Sequence, residues 1–256
     1  MAKVQEVVDW IPVLLVEADE PGGDVVLWMS HLGGSAEQTL PMLERFAEAG
    51  HPAVSFDAVG HGSRGSGDPW EFAAGVLGAF RRRMWPILGQ TTLEAMRVLT
   101  WAQERTGSPE AARAGGLSMG GDVAVALAGI DRRVARVATV GSSPDWSRPG
   151  MRDLRDSTRV VDQGRADPYS RWFADHLDPM RHLERYRGGA ALGFELGGAD
   201  RHIPKENARA FADALLDMDA VPPERLRVHV HPDLDHLGVT TSAEALENAA
   251  GWLLTA

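Results

Sequence analysis

The sequence predicts a doubly wound α/β domain, a mostly parallel central sheet with helices on both faces. Short β-type runs alternate with helical patterns from about Ile11 to the end, the order that builds such a sheet. The first runs are apolar almost throughout, as strands covered on both faces require. A strand, a helix and a second strand also follow one another without interruption over 111–140, which is a βαβ unit.

In chain order, runs 11–16 and 25–29 are dense in β-branched and large apolar residues and are expected as buried strands. A helix follows. Ser35 with Gln38 makes a capping box, Leu40, Leu43, Phe46 and Ala47 line one face, and Gly50 can take the left-handed conformation that ends it. Run 53–56 is the next strand, leading into a Gly-rich turn. Thr91 with Glu94 predicts a second capping box, opening a helix that carries Leu93, Met96 and Leu99 and stops near Gly107. Strand 111–117, helix 119–129 and strand 134–140 come next, with Ser118 at the first bend. Over 142–189 the periodicity weakens and Pro, Asp, Arg and Trp accumulate, so this stretch is expected as a short cap-like insertion of small helices over the strand ends. Strand 191–196, helix 206–218, an alternating strand through Leu226, Val228 and Val230, and a closing helix 242–254 complete the chain. A single domain is expected over 1–256, a length one core can serve.

Composition narrows the function classes. A formal net charge of -10 disfavours nucleic acid and anionic membranes as partners, because neutralising phosphates needs clustered cations. Arg81, Arg82 and Arg83 are the local exception, read as a solvated face, with a carboxylate-binding or interface role as the alternative. The chain has no cysteine, hence no disulfide framework or thiolate metal site. No apolar run approaches the roughly 20 residues of a membrane span. The first residues lack the basic-then-apolar layout of a secretory signal, so a cytoplasmic location is expected.

The chemistry concentrates at Gly116-Leu117-Ser118-Met119-Gly120, a G-x-S-x-G segment between a strand and a helix. A serine at such a bend adopts strained backbone angles, and glycines on either side relieve collisions that side chains would cause. The following helix points its N-terminus at the same place, so the Met119 N–H can donate to a developing oxyanion. A tight turn in which Ser118 merely caps the helix is the alternative.

Over nearly its whole length, from Val25 through the closing helix, the chain resembles the α/β-hydrolase superfamily of serine hydrolases. Ser30-His31-Leu32-Gly33-Gly34-Ser35 is similar to that family's H-G-x-G-G-S oxyanion loop, which implies the Leu32 N–H as a second oxyanion donor. The family has His then Gly where this chain has Ser30 then His31. His31 is therefore expected either to contact substrate or to make a structural hydrogen bond. Phe56-Asp57-Ala58-Val59-Gly60-His61-Gly62 resembles the D-x-x-G-H-G turn and is read as structural, with His61 bonded to backbone. The family's order of Ser, Asp, His implies Asp200, in Gly198-Ala199-Asp200-Arg201, as the acid, and His236, in Asp235-His236-Leu237, as the base. Asp145, Asp233 and Asp235 remain alternative acids. His202 is expected at the entrance, and His229 and His231 in packing or local hydrogen bonds.

The resemblance implies a serine hydrolase that cleaves an ester or related acyl bond of a small molecule through an acyl-enzyme. Serine is a weak nucleophile at neutral pH and needs a base in the right tautomer. Trp146 and Trp172, with Tyr169 and Phe173, are expected either to line the substrate pocket or to form the insertion's own core. The 84–90 segment resembles esterases and dienelactone-hydrolase-like members with a short insertion. The same scaffold also serves lyases, cyclases and acyltransferases, which the Ser30-His31 pair would permit, and less readily a non-catalytic binding module. No H-E-x-x-H or similar ligand spacing occurs, so no metal is expected, and no cofactor. Oligomeric state is not legible.

Overall fold

The computed structural model describes residues 1–20 and 22–255. Its strands are β1 (Lys3–Val8), β2 (Ile11–Val16), β3 (Val25–Met29), β4 (Ala53–Phe56), β5 (Ala112–Leu117), β6 (Val134–Val140), β7 (Ala191–Gly197) and β8 (Leu226–His231). They form one sheet in the order β1-β2-β4-β3-β5-β6-β7-β8. The β1–β2 and β2–β4 pairs are antiparallel and every later pair is parallel. The chain passes from β3 outward to β4 on one side and returns to β5 on the other. Loops leaving β3 and β5 therefore diverge at their carboxyl ends, which is where open parallel sheets bind ligands.

The helices are α1 (Leu40–Glu48), α2 (Pro69–Leu77), α3 (Phe80–Thr106), α4 (Met119–Ile130), α5 (Pro168–Leu177), α6 (Lys205–Asp217), α7 (His236–Thr241) and α8 (Ala243–Leu254). They cover both faces. Leu43 and Phe46 of α1 and Ala249 and Leu253 of α8 pack with Val26, Trp28, Ala138 and Val140 on one side. On the other, α3, α4 and α6 bury Leu88, Val98, Val123, Leu127 and Phe211 with Leu27, Val54 and Val137. At roughly 25 cal/mol per Å² of apolar surface removed from water, this two-sided burial is the main stabilising term.

Local chemistry explains where the helices begin and where expectation failed. A 3₁₀ turn over Glu37–Thr39 precedes α1, and Gln38 accepts from the Ser35 N–H while the Ser35 hydroxyl caps nothing. Gly50, at φ +85°, follows the helix as expected. The expected helix start at Thr91 is wrong: α3 begins at Phe80 and runs unbroken through Pro86. Proline removes one backbone donor, but Phe80, Met84, Trp85 and Leu88 are buried and hold the segment against the sheet. Thr91 is buried inside that helix, and Thr92 Oγ1 donates to the Leu88 carbonyl. Three elements were not expected: β1, α2 and the short α7, which begins at His236. Strand β1 is mostly exposed and lacks an apolar pattern, whereas α2 has a readable cap in Asp68, which accepts from the Trp70 and Glu71 N–H groups before Pro69 at the first position.

The 142–189 stretch holds α5 and two short 3₁₀ turns. Asp167 and Ser170 form a reciprocal capping box at the start of α5. Arg82 pairs with Asp167 and Arg81 with Gln163, so the arginine run ties this stretch to α3. Among the described residues, no helix is long and apolar enough to cross a membrane.

Candidate active site

Ser118 sits between β5 and α4 with φ 48° and ψ -115°, a left-handed backbone conformation that a non-glycine residue adopts only under local constraint. Close packing imposes it. A Cβ on Gly120 would lie 2.5 Å from the carbonyl oxygens of Met29 and Ser30, and one on Gly116 2.6 Å from that of Met29. The elbow thus presses directly on the end of β3. The Ser118 N–H donates to the Val140 carbonyl, and its own carbonyl accepts from Gly121, Asp122 and Ser142 Oγ. The backbone is fixed on every side, leaving the side chain to act.

That side chain meets the two other residues expected from later loops. Ser118 Oγ lies 3.1 Å from His236 Nε2, and His236 Nδ1 lies 2.8 Å from Asp200 Oδ2. All three are buried. A carboxylate only accepts, so Nδ1 carries the proton and Nε2 is left free to accept from the serine. The second Asp200 oxygen accepts the N–H groups of His202 and Ile203, which hold the carboxylate in place. Two of the alternative acids are engaged elsewhere, and Asp233 is exposed on the loop before α7. Asp235 caps α7 through the Gly238 N–H, and Asp145 accepts from the Ser147 N–H and hydroxyl.

The N–H groups of Leu32 and Met119 have no acceptor among the described residues. Met119 opens α4, where the helix dipole favours an anion. The β3–β4 loop is braced by Asp57, which accepts from the Ala36 N–H through one oxygen and from the Ser63 N–H and hydroxyl through the other. His61 Nδ1 donates to the Val59 carbonyl, and burial lowers the ring's pKa.

The expected substrate contacts fare differently. His31 is exposed, and its Nδ1 is 3.0 Å from the Leu32 carbonyl, a structural hydrogen bond. Trp172 is half-exposed on α5, stacked on His176 at 4.5 Å and edge-on to Phe173. Trp146 requires a correction: it is wholly buried in the core and presents no surface to a ligand. Its carbonyl accepts from Trp85 Nε1 and its N–H donates to Asp178, which fixes it from both sides.

Sequence reasoning missed a buried ion pair beside the elbow. Asp122 in the first turn of α4 and Arg148 are joined through Oδ2 and Nη2, both essentially without exposure, and Asp122 Oδ1 accepts from the Ser143 N–H. The guanidinium also lies over the Phe80 ring. Burial raises the Asp122 pKa against the pull of Arg148. A lone carboxylate in an otherwise apolar helix, GGDVAVALAGI, was the signal for it.

A groove of about 310 Å³ is lined by Trp70, Leu154, Arg155 and Leu237, the residue next in the chain to His236. A larger depression of about 540 Å³, lined by Glu110, Asp131, Arg132 and Arg133, lies at the amino ends of β5 and β6, away from Ser118.

His202 adds a pH dependence. Its ring is 5.0 Å from that of His236, and burial, then His236, then Arg148 lower its pKa to about 4 from 6.5. The unfolded chain therefore binds the extra proton between those values. The contribution, up to about 3 kcal/mol, is fully present above pH 6.5 and lost as pH falls through 4. Asp178, raised to about 7 chiefly by burial, acts in the opposite sense over the same window. The test is therefore a comparison: between pH 6.5 and 4, the urea stability of wild type should fall relative to that of His202→Gln. Parallel curves for the two proteins would remove His202 from the acid response.

The sheet order, the covered faces and the serine elbow define a protein of the α/β-hydrolase fold. Comparison with solved structures agrees. TT1662 from Thermus thermophilus superposes over all of both chains at 25% identity and a TM-score of 0.75. A protein of Klebsiella pneumoniae assigned as a dienelactone hydrolase gives 16% identity and a TM-score of 0.71 over 100% of this chain and 99% of that one. Thermogutta terrifontis esterase 2, phosphonylated by sarin, gives 15% and 0.65 over 98% and 92%. No family model and no curated protein sequence matches.

Proposed function

We propose that this protein is a serine hydrolase cleaving an ester or related acyl bond of a small molecule. The observation that carries the reading is the continuous relay from Ser118 Oγ through His236 to Asp200, at 3.1 Å and 2.8 Å. His236 Nε2 takes the serine proton as Oγ attacks the acyl carbon, and Asp200 stabilises the imidazolium that forms. The N–H groups of Leu32 and Met119 receive the oxyanion. His236 then returns the proton to the leaving group, and a water, activated by the same base, releases the acyl group from Ser118. The groove of Trp70, Leu154, Arg155 and Leu237 receives the substrate, its mostly apolar wall favouring a small apolar acyl or leaving group. An esterase of the same fold is known in a phosphonylated state, which fits this mechanism.

The test is intact mass after incubation with a fluorophosphonate, alongside release of p-nitrophenol from short-chain esters. Wild type should gain one adduct and Ser118→Ala none, and only wild type should turn over the esters. Absence of both labelling and turnover in the wild type would overturn the proposal.

A further inference from the structure

A second cluster of chemically capable side chains lies at the β8 edge, apart from the triad. His229 and His231 alternate along β8 and so project from the same face. In the parallel ladder Glu195 of β7 pairs with His229. One oxygen, Glu195 Oε2, lies 2.7 Å from His229 Nδ1 and 2.8 Å from His231 Nε2. These three donor atoms all fall within 4.8 Å of one another. We propose that Glu195, His229 and His231 form a binding site for a divalent transition cation of the zinc type.

The donor set fits that chemistry. Two imidazole nitrogens and one carboxylate oxygen are ligands of borderline metals, at about 2.0–2.2 Å. Tetrahedral ligands at such a distance stand roughly 3.3 Å apart, so Glu195 Oε2 need move only about half an ångström from each ring nitrogen. Each neutral ring keeps its proton by moving it to the far nitrogen. Asn248 is within 3.4 Å of Glu195 Oε2 and 3.3 Å of His229 Nδ1 through its amide nitrogen, and a turn of that amide presents its oxygen as a fourth ligand. Arg227 holds the other Glu195 oxygen at 2.7 Å, which orients Oε2 toward the rings and, by its charge, tempers affinity. Access is from the His229 side: that side chain is 43% exposed, while Glu195 and His231 are buried.

The site would act on the fold at a sensitive place. The His231 carbonyl accepts from Gly198 and Leu234, so the end of β8 ties together the loops that carry Asp200 and His236. Metal at this point clamps β7 to β8 just before those loops leave the sheet. The histidine-any-histidine spacing is visible in the sequence, but only the pairing of β7 with β8 supplies the carboxylate. That is why spacing alone argued against a metal.

The experiment is titration of the whole protein, free of chelator, with Zn²⁺ by calorimetry and with Co²⁺ by visible absorption. Wild type should bind one equivalent of Zn²⁺ and give the ligand-field bands of a four-coordinate Co²⁺ site. Melting temperature should rise by about 5 °C or more at a 100-fold excess over the dissociation constant. His229→Gln, at a half-exposed position, should fold normally and lose the equivalent, as should Glu195→Gln. His236→Ala, which removes the triad imidazole, should retain it. No uptake by the wild type, equal uptake by His229→Gln, or loss in His236→Ala alone would overturn the proposal.

Discussion

Ser118→Ala, His236→Ala and the double variant are expected to show the same residual ester turnover, about 10⁶-fold below wild type in kcat. In the proposed mechanism Ser118 and His236 share one proton transfer, so once either is gone the other has nothing to exchange, and their losses do not add. Asp200→Asn should cost about 10⁴-fold, because an amide can donate to His236 Nδ1 and so favour the wrong tautomer. The measurement is kcat and KM for p-nitrophenyl esters at fixed pH with each variant. Losses that multiplied in the double variant would mean that Ser118 and His236 act independently. A fully active Asp200→Asn would return the acid's role to another carboxylate, despite Asp145 and Asp235 being otherwise bonded.

The second large effect concerns stability. Replacing Arg148 with methionine strands the Asp122 carboxylate in the core, and the expected cost is about 3–5 kcal/mol in urea unfolding. Asp122 has no exposure and the Arg148 side chain is 2% exposed, so water cannot substitute for the missing partner. Removing both charges, as Asp122→Leu with Arg148→Met, should recover most of that loss, since a buried pair must also overcome its own desolvation. The Ser143 N–H would then lose its acceptor, which sets a floor of about 1 kcal/mol on what remains. A double variant as unstable as the single one would show that the pair's worth lies in geometry around the elbow, not in mutual neutralisation.

Much of this was legible from local patterns. Strands β2 to β8 carry dense or alternating apolar residues, and six of the seven were expected within a residue or two of their observed bounds, with β8 placed by its alternation. The serine elbow could be read because a bend between strand and helix leaves glycine little choice there, and the loops carrying Asp200 and His236 came from resemblance. What failed were features settled at a distance. Thr91 and Glu94 looked like a helix start, yet Trp85 and Leu88 bury against the core and carry α3 unbroken from Phe80. Trp146 looked like a pocket wall because aromatic content says nothing about which way a ring faces. Arg148 gave no local sign at all, since its partner Asp122 stands 26 residues earlier and meets it only in the folded chain.

The register between β3 and β5 carries a further meaning. Met29 pairs with Gly116, and each of the proposed oxyanion donors, Leu32 and Met119, lies three residues beyond its member of that pair. Both donors are main-chain groups. The ladder thus sets the roots of the two segments that carry them side by side, before any side chain is chosen. A point mutation can silence the nucleophile or the base, but it cannot delete an N–H unless it introduces proline. Under the proposed mechanism, the anion-receiving half of the site is accordingly its durable part, and the reactive half is free to be exchanged over it.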